Sequence, residues 1–434
     1  LPYGFYGRGE LNYLSSFRFR QEFTESFSEA IASEIQSVGF VEKDWSTFHL
    51  STAFSRLQNF RTSESDIISI RRLPEVRFAS RSRKWKKDAP VYVSFDTAWG
   101  LVRRSQPLFQ TRQFVTRVDL APRIFLPLEW KGFHIVPSYA PRLTYYDSRL
   151  INEDVRGDNL GRGSQEFAVE ILPPSLSRVF NRKGIWGEKL KHVIEPRMAL
   201  RYVNGIGEFN DIIRFDTTEL LSNTKEAEFS LTNRFFGKRG DNVEEIFSWE
   251  LRHKRYFDPD FGGAVVAGRR NVVASALDLS TFTFLNQPRH YSPVASTFRI
   301  SPATRYGILW RADYDPFYGQ FLNSITAVDA RFGDFLAIVG HNRVRSTPLL
   351  ADPNQKISDE AARDVPSSKL LSPPANQLLT TLAWKDSLKK GWSAAFNNWY
   401  DFRTSSIVTS TGQLTYNTDC CGFSVQYRRF GFAN

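Results

Sequence analysis

The two cysteines of this 434-residue chain, Cys420 and Cys421, stand side by side, and there are no others. A disulfide between neighbours is strained, so each thiol either seeks a distant partner or is simply a small residue in a strand. Six histidines are scattered without metal-ligand spacing. His49 and Ser51 share a strand face, but no third group completes a nucleophile, base and acid. Gly205-Ile206-Gly207 lacks the strand-to-helix setting of a dinucleotide fingerprint. No enzyme motif and no cofactor follow from these residues. The remaining chemistry is cationic: 57 Lys and Arg face 46 Asp and Glu, a net charge of +11. These cations run along the whole chain rather than clustering, which argues against a nucleic-acid partner.

The elements that must carry those cations have a period of two. Val91, Val93, Phe95, Thr97 and Trp99 share one face, with Tyr92, Ser94, Asp96 and Ala98 on the other. Leu190, His192, Ile194, Pro196, Met198, Leu200 and Tyr202 alternate with Lys189, Lys191, Val193, Glu195, Arg197, Ala199 and Arg201. Tyr13 to Arg20, Arg305 to Tyr314, Trp392 to Tyr400 and Phe423 to Arg428 repeat the pattern, the mark of strands with one apolar and one polar face. Helical periodicity is nearly absent, although Phe27 to Ile35 reads as either a helical turn or a strand. Turn clusters such as Asn152 to Asn159 and Gly237 to Asn242 punctuate the chain, and Ser346 to Asn376 reads as an external loop. The strands number roughly twenty, each long enough to cross a bilayer core when tilted.

Soluble sheets manage with strands of ~5–6 residues. Here they are about twice as long, and their apolar faces often start or finish in Phe, Tyr or Trp, like the interfacial girdles of outer-membrane barrels. Aromatic residues make up 15% of the chain. No run approaches the ~18 uncharged apolar residues of a spanning helix. In hydrocarbon an all-β chain satisfies its backbone only as a closed barrel. The fold class expected is therefore all-β, a large antiparallel transmembrane β-barrel taking in residues 1–434 as one domain. Leu at position 1 and a lone Met198 lead us to expect that a signal peptide and further sequence precede this chain.

Three stretches carry a family resemblance. Lys191-His192-Val193-Ile194-Glu195-Pro196-Arg197, followed by Tyr202-Val203, Phe215-Asp216 and Asn233-Arg234-Phe235, resembles the "EPR … NR-F" region in the barrel of the lipopolysaccharide-assembly family LptD (Imp/OstA). Leu73-Pro74-Glu75-Val76 is similar to that family's "LPEV" strand, and Arg117-Val118-Asp119-Leu120-Ala121-Pro122 is a looser match of the same kind. Cys420-Cys421, within Tyr416 to Val425, resembles its vicinal Cys-Cys strand. By itself Pro196, inside a strand, removes a ladder hydrogen bond and implies a bulge or weak edge. His192 reads as an interfacial or lumen residue.

The resemblance implies an outer-membrane translocon subunit that inserts lipopolysaccharide into the outer leaflet, in a Gram-negative-type envelope. It implies a lumen lipoprotein partner, LptE, and a contact with LptA through an N-terminal periplasmic jelly-roll domain that this sequence lacks. Cys420 and Cys421 would bridge to cysteines in that domain, closing a very long loop. The family also continues past the Cys-Cys strand with closing strands, so both ends are expected to be incomplete. Lumen-facing parity nominates Arg18, Arg20, Lys191, Arg197, Arg201, Arg305 and Arg311 for contact with phosphorylated sugar or with the plug protein. Each could equally pair with Asp or Glu on a neighbouring strand. The alternative function is a general diffusion porin or other outer-membrane transporter barrel. A soluble β protein is the third reading, and it would need no detergent.

Overall fold

The computed structural model describes residues 2–12, 34–60, 67–106, 109–111, 113–151, 154–181, 184, 186–207, 209–268, 271–280, 282–284, 287–303, 305–345, 347–348, 370–372, 375–386 and 389–431. Most of them lie in strands, and 22 strands enter the antiparallel main sheet. Helical structure among the described residues is confined to short turns at Pro2–Gly4 and Thr217–Leu220 and a four-residue helix at Ala274–Leu277. Among the described residues no helix is long and apolar enough to cross a membrane. The expected spans appear as strands Tyr92–Gln106, Lys189–Asn204, Tyr306–Asp315, Gly391–Asp401 and Gly422–Phe430. Arg18, Arg20, the Tyr13–Arg20 alternation and most of the 346–376 connector lie outside the described residues.

Strand length separates this sheet from a soluble one. Ile67–Lys84 runs 18 residues, and Lys189–Asn204 and Thr224–Arg239 run 16 each; about 9–11 tilted residues cross a bilayer. Face polarity is inverted as well. In Val115–Phe125 the buried side chains include Arg117 and Asp119, while Val118, Leu120 and Ile124 are exposed. In Phe133–Tyr146, Thr144 and Tyr146 are buried, whereas Leu143 is 61% exposed. Ser406–Asn417 buries Thr409, Thr411 and Thr415 and exposes Leu414 and Tyr416. An apolar face turned outward along strand after strand is stable only against hydrocarbon.

The chain forms two compact units. The first comprises Leu1–Ile171, Leu200–Glu226 and Asp260–Ala264; the second comprises Leu172–Ala199, Ala227–Pro259 and Val265–Asn434. Within each, antiparallel neighbours are joined by tight turns at one end and long connections at the other. In the first unit Trp45 pairs with Phe48 across Ser46-Thr47, while the connection after Asn204 runs to Thr224. In the second unit Phe332 pairs with Phe335 across Gly333-Asp334, with Gly333 at φ 60°, the left-handed geometry that two-residue hairpins require. Tight turns at the periplasmic end and long loops at the extracellular end are the rule for outer-membrane barrels. At the tight-turn end of the first unit, on the apolar face, Phe78 stacks on Trp45 and Phe48 (6.0 and 5.7 Å between ring centroids) and meets Phe95 at 5.1 Å, the expected aromatic girdle.

Proline leaves its mark at Leu73-Pro74. The register shifts between Arg72 and Glu75 toward Tyr92–Gln106 and between Ala53 and Ser55 toward Phe48–Phe60. The missing N–H is thus absorbed in a bulge, where a proline within a strand is tolerated. The strand Lys189–Asn204 passes through Pro196, but its ladder with Leu176–Phe180 ends at Ile194.

Candidate functional site

The connection after Asn204 is folded back on the polar face of the first unit and sewn to it. Its neck is closed by Asn223, whose Oδ1 accepts from Ile206 N (2.9 Å) and whose Nδ2 donates to Ile206 O (2.9 Å). Inside, Ile212, Ile213 and Phe215 pack with Val102, Val115, Tyr146 and Leu160. Fully burying such side chains contributes about 1.5–3 kcal/mol each. Asp216 then caps the short turn Thr217–Leu220: its Oδ1 accepts from Thr218 N (2.9 Å), and Glu219 Oε2 accepts from the backbone N–H groups of Asp216 (2.7 Å) and Phe215 (3.1 Å). This capping box leaves the other carboxylate oxygens free to face the wall.

The wall answers with arginines. Arg117 Nη1 donates to Glu219 Oε1 (2.9 Å) and to Asp216 Oδ2 (2.8 Å), and its Nη2 donates to Glu75 Oε2 (2.9 Å). Tyr146 OH donates to Glu219 Oε1 at 2.8 Å, and Arg72 Nη2 reaches Asp216 Oδ2 at 3.1 Å. One strand further, Arg142 holds Asp119 bidentately (2.8 and 2.8 Å) and touches Thr218 Oγ1 (3.3 Å), while Thr144 Oγ1 donates to Asp119 (2.7 Å). Arg162 donates to the carbonyls of Thr218 and Leu221, and Arg104 to the carbonyl of Arg214. Side-chain exposure is 6% for Arg117 and 0% for Glu219, so this is a desolvated pair whose partners must remain matched. Burial, and then the neighbouring Asp216, push the Glu219 carboxyl upward. At Asp216 burial acts in the same direction but is outweighed by Arg117, the Thr218 N–H and Arg72, which hold it well below the usual carboxylate range.

The second unit repeats the device on a smaller scale. Glu228 is contacted by Arg252 (2.9 Å), Arg197 (3.2 Å) and Lys254 (3.5 Å). Lys254 Nζ also donates to Ser275 O (3.0 Å), which ties the insertion after Tyr256 to the same polar face. Arg289 meets Asp315 at 2.7 Å and Ser280 Oγ donates to Asp313 at 2.9 Å, fastening that insertion to strand Tyr306–Asp315. Glu195 pairs with Arg234 at 3.0 Å, and Arg234 with Glu245 at 3.3 Å. His192 lies 3.4 Å from Asn233 Oδ1 and stacks on Phe235, with 4.2 Å between ring centroids.

The sequence motifs therefore serve as connectors. Pro74-Glu75, Arg117, Asp119 and Phe215-Asp216 converge on the first network, whereas Glu195, Arg197, Asn233 and Arg234 lie on adjacent strands of the second unit. Of the lumen-parity candidates, Arg201 pairs with Glu166 (2.6 Å) and Arg197 with Glu228. Lys191, Arg305 and Arg311 are exposed and stand apart from one another along the chain. Sequence reasoning missed Arg72, Tyr146, Arg142 and Glu219; the one available signal was the Arg117-Val118-Asp119 spacing, which puts both charges on one strand face. Cys420 and Cys421 occupy the tight turn before the last described strand rather than the strand itself. Thr418 N donates to Cys421 O (2.8 Å), and Thr418 Oγ1 accepts from Cys421 N (3.0 Å). Both thiols are exposed and are not bonded to each other. Hydrogen bonding from the Cys421 thiol, then from Thr418, lowers the Cys420 pKa and leaves that of Cys421 raised. Among the described residues no group of three His, Cys, Asp or Glu could hold a metal ion.

The model of one protein family, LPS transport system D, matches residues 2–385. The chain belongs to the LptD family. LPS-assembly protein LptD of Pseudomonas syringae pv. syringae (strain B728a) is 30% identical over 128 residues, which is 28% of this chain and 13% of that protein's length. Among solved structures, the ferric enterobactin receptor PfeA of Pseudomonas aeruginosa aligns over 92% of this chain and 66% of its own, with 8% identity and a TM-score of 0.38. The ferric preacinetobactin receptor BauA of Acinetobacter baumannii aligns over 91% and 66%, with 9% identity and a TM-score of 0.33. Membership of the LptD family, one of transport components, places the chain in the Gram-negative outer membrane.

Proposed function

We propose that this chain forms membrane wall of a lipopolysaccharide translocon and delivers that glycolipid to the outer leaflet. The observation that carries the reading is the family match over residues 2–385, on a chain whose strands turn apolar side chains outward and charged ones inward. Lipopolysaccharide has a phosphorylated sugar head and a greasy tail. A charged face can guide the head, and a hydrocarbon-facing surface can receive the acyl chains. The lumen lipoprotein LptE is the proposed occupant of the polar interior, and LptA the proposed donor, through a periplasmic domain outside this sequence. Cys420 and Cys421, at the tight-turn end and exposed, are suitably placed for disulfides to that domain.

The test is depletion of the full-length protein from cells and its replacement by variants, with surface-exposed lipopolysaccharide as the readout. Depletion is expected to abolish appearance of new lipopolysaccharide at the surface. Unchanged delivery, together with steady large conductance of the purified protein and its plug partner in planar bilayers, would favour a diffusion pore instead.

A further inference from the structure

In the second unit the apolar face carries aromatic residues at both ends of its strands. Phe332 pairs with Phe335 at the tight-turn end, and both are more than half exposed. At the other end Tyr314 pairs with Phe321, and their rings meet edge-on with 5.3 Å between centroids. Phe321 and Phe332 both lie on strand Gln320–Phe332. At about 3.3 Å per residue and a tilt of about 40°, they are about 28 Å apart along the membrane normal, close to the ~25 Å apolar band of such barrels. The turn that follows Tyr314, from Asp315 to Gln320, therefore stands on the water side of the upper aromatic row.

That turn and segment 287–291 of the insertion after Tyr256 enclose a cleft of about 400 Å³, an ordinary size for a small-ligand site. Its walls are held by internal bonds. Asp315, 1% exposed, accepts from Phe317 N at Oδ1 (2.9 Å) and from Arg289 Nη2 at Oδ2 (2.7 Å). The Arg289 guanidinium lies over the rings of Phe317 and Tyr318, 5.3 and 5.2 Å from their centroids. Tyr291 stacks on His253 with 5.7 Å between centroids, and His290 Nδ1 donates to Tyr256 O (3.1 Å). Two kinds of group are left for a guest. Phe317 and Tyr291 remain 53% and 48% exposed. Gln287 is only 8% exposed; its Nε2 reaches Tyr318 OH (3.4 Å), but its Oε1 has no hydrogen-bond partner among the described residues. The bond at His290 Nδ1 likewise leaves Nε2 as an acceptor. An acceptor so nearly buried is costly to leave unmet.

The two charged residues of the lining, Arg289 and Asp315, are paired with each other, so the cleft offers no net charge to a phosphate or carboxylate. An acyl chain would leave the Gln287 carbonyl unmet, and the cleft stands beyond the hydrocarbon. A neutral pyranose matches what remains. Its C–H face suits the electron-rich face of an aromatic ring, and its hydroxyl rim donates to fixed acceptors. We infer that this cleft binds a neutral saccharide, with Phe317 and Tyr291 receiving its C–H faces and Gln287 and His290 accepting from its hydroxyls. The site stands on its own geometry and goes beyond the transport role. Sugars of a lipopolysaccharide and of a free glycan share this chemistry.

The test uses the purified full-length protein in detergent and saturation-transfer NMR, which reads contact between protein aromatic protons and the C–H protons of a sugar. The probes are the dephosphorylated core oligosaccharide of the cells' own lipopolysaccharide, maltotriose as a free glycan, lipid A without core sugars, and inorganic phosphate. A neutral saccharide is expected to bind, and neither lipid A nor millimolar phosphate should displace it. Binding of the core oligosaccharide alone assigns the site to lipopolysaccharide sugars; binding of maltotriose, alone or as well, assigns it to free neutral glycans. Phe317→Ala and Gln287→Leu are each expected to weaken binding about tenfold or more, with melting unchanged for the exposed Phe317. Phe317→Trp should retain binding, and Phe402→Ala, at another exposed aromatic in a turn of the same end, should leave it as in wild type. No binding of either saccharide, undiminished binding by Phe317→Ala, or displacement by phosphate or lipid A would each overturn the inference. Surface delivery of lipopolysaccharide is measured separately in cells, so a failure of sugar binding is distinguished from a failure of the transport reading.

Discussion

Replacing Arg117 by Met is the sharpest perturbation of the anchored insertion. Met fills much of the volume of the Arg stem but removes the hydrogen bonds to Glu219 and Asp216 (2.9 and 2.8 Å) and to Glu75 (2.9 Å). Asp216 keeps Arg72, and Glu219 keeps Tyr146 and two backbone N–H groups, but the fully buried Glu219 carboxyl loses its cation. Removing one partner of such a pair costs about 3–5 kcal/mol. The cost falls on the closed state of the insertion, since the opened segment would hydrate both carboxylates. At about 1.4 kcal/mol per factor of ten, the opening equilibrium should rise about 10²-fold or more. Hydrogen exchange resolved to the amides of Phe215 and Asp216 reads this directly, because both donate to Glu219. Their exchange is expected to accelerate by that factor while amides of the Val115–Phe125 ladder keep their protection. Glu219→Gln should cost less, and a double-mutant cycle of the two should show strong coupling. Unchanged exchange at Phe215 and Asp216 in Arg117→Met, or an effect no larger than that of Arg123→Met on the same strand, would refute the account.

Other outcomes follow from the same geometry. Asp216 is held below its unfolded pKa, so its contribution is present above the usual carboxylate range and is lost as pH falls toward its folded value; protection of the insertion should decline in acid, and Asp216→Asn should flatten that decline. Leu143→Lys, on the outward face, should destabilise the protein in bilayers by about 2–4 kcal/mol near the midplane, whereas Gln413→Lys on the opposite kind of face should cost far less, as read by denaturant unfolding in lipid. Gly333→Val forces a β-branched residue to φ 60° and should cost about 1–2 kcal/mol in the same assay. In the full-length protein, non-reducing gels should show a mobility change that is lost in Cys420→Ser, Cys421→Ser; identical mobility with and without reductant would remove the disulfide proposal.

The strands were legible because their cause is local. Alternation in Leu190 to Tyr202 or Trp392 to Tyr400 follows from the pleat, so reading one residue in two recovers the face before any fold is known. The anchored insertion was not legible. Asn204 to Thr224 has no period, and the partners of Glu219 are Arg117 and Tyr146, 102 and 73 residues distant, so nothing local announces them. Arg201 and Arg197 showed their parity but not their ion pairs, because parity names a face and only register names the neighbour. The Cys420-Cys421 turn was blurred into its strand because the alternation of Phe423 to Arg428 carries no marker of where pairing begins.

By itself the sequence determined an all-β chain with outward apolar and inward charged faces, because period two and strand length are properties of the backbone and its nearest solvent. It also carried the motifs that tie it to the LptD family. Only the tertiary structure decided which charges meet. Strand register set Arg201 beside Glu166, and the fold-back of 205–223 brought Glu219 under Arg117. Both depend on distances closed across the sheet, where each contact is chosen by how neighbouring strands slide past one another and not by any residue's own neighbours in the chain.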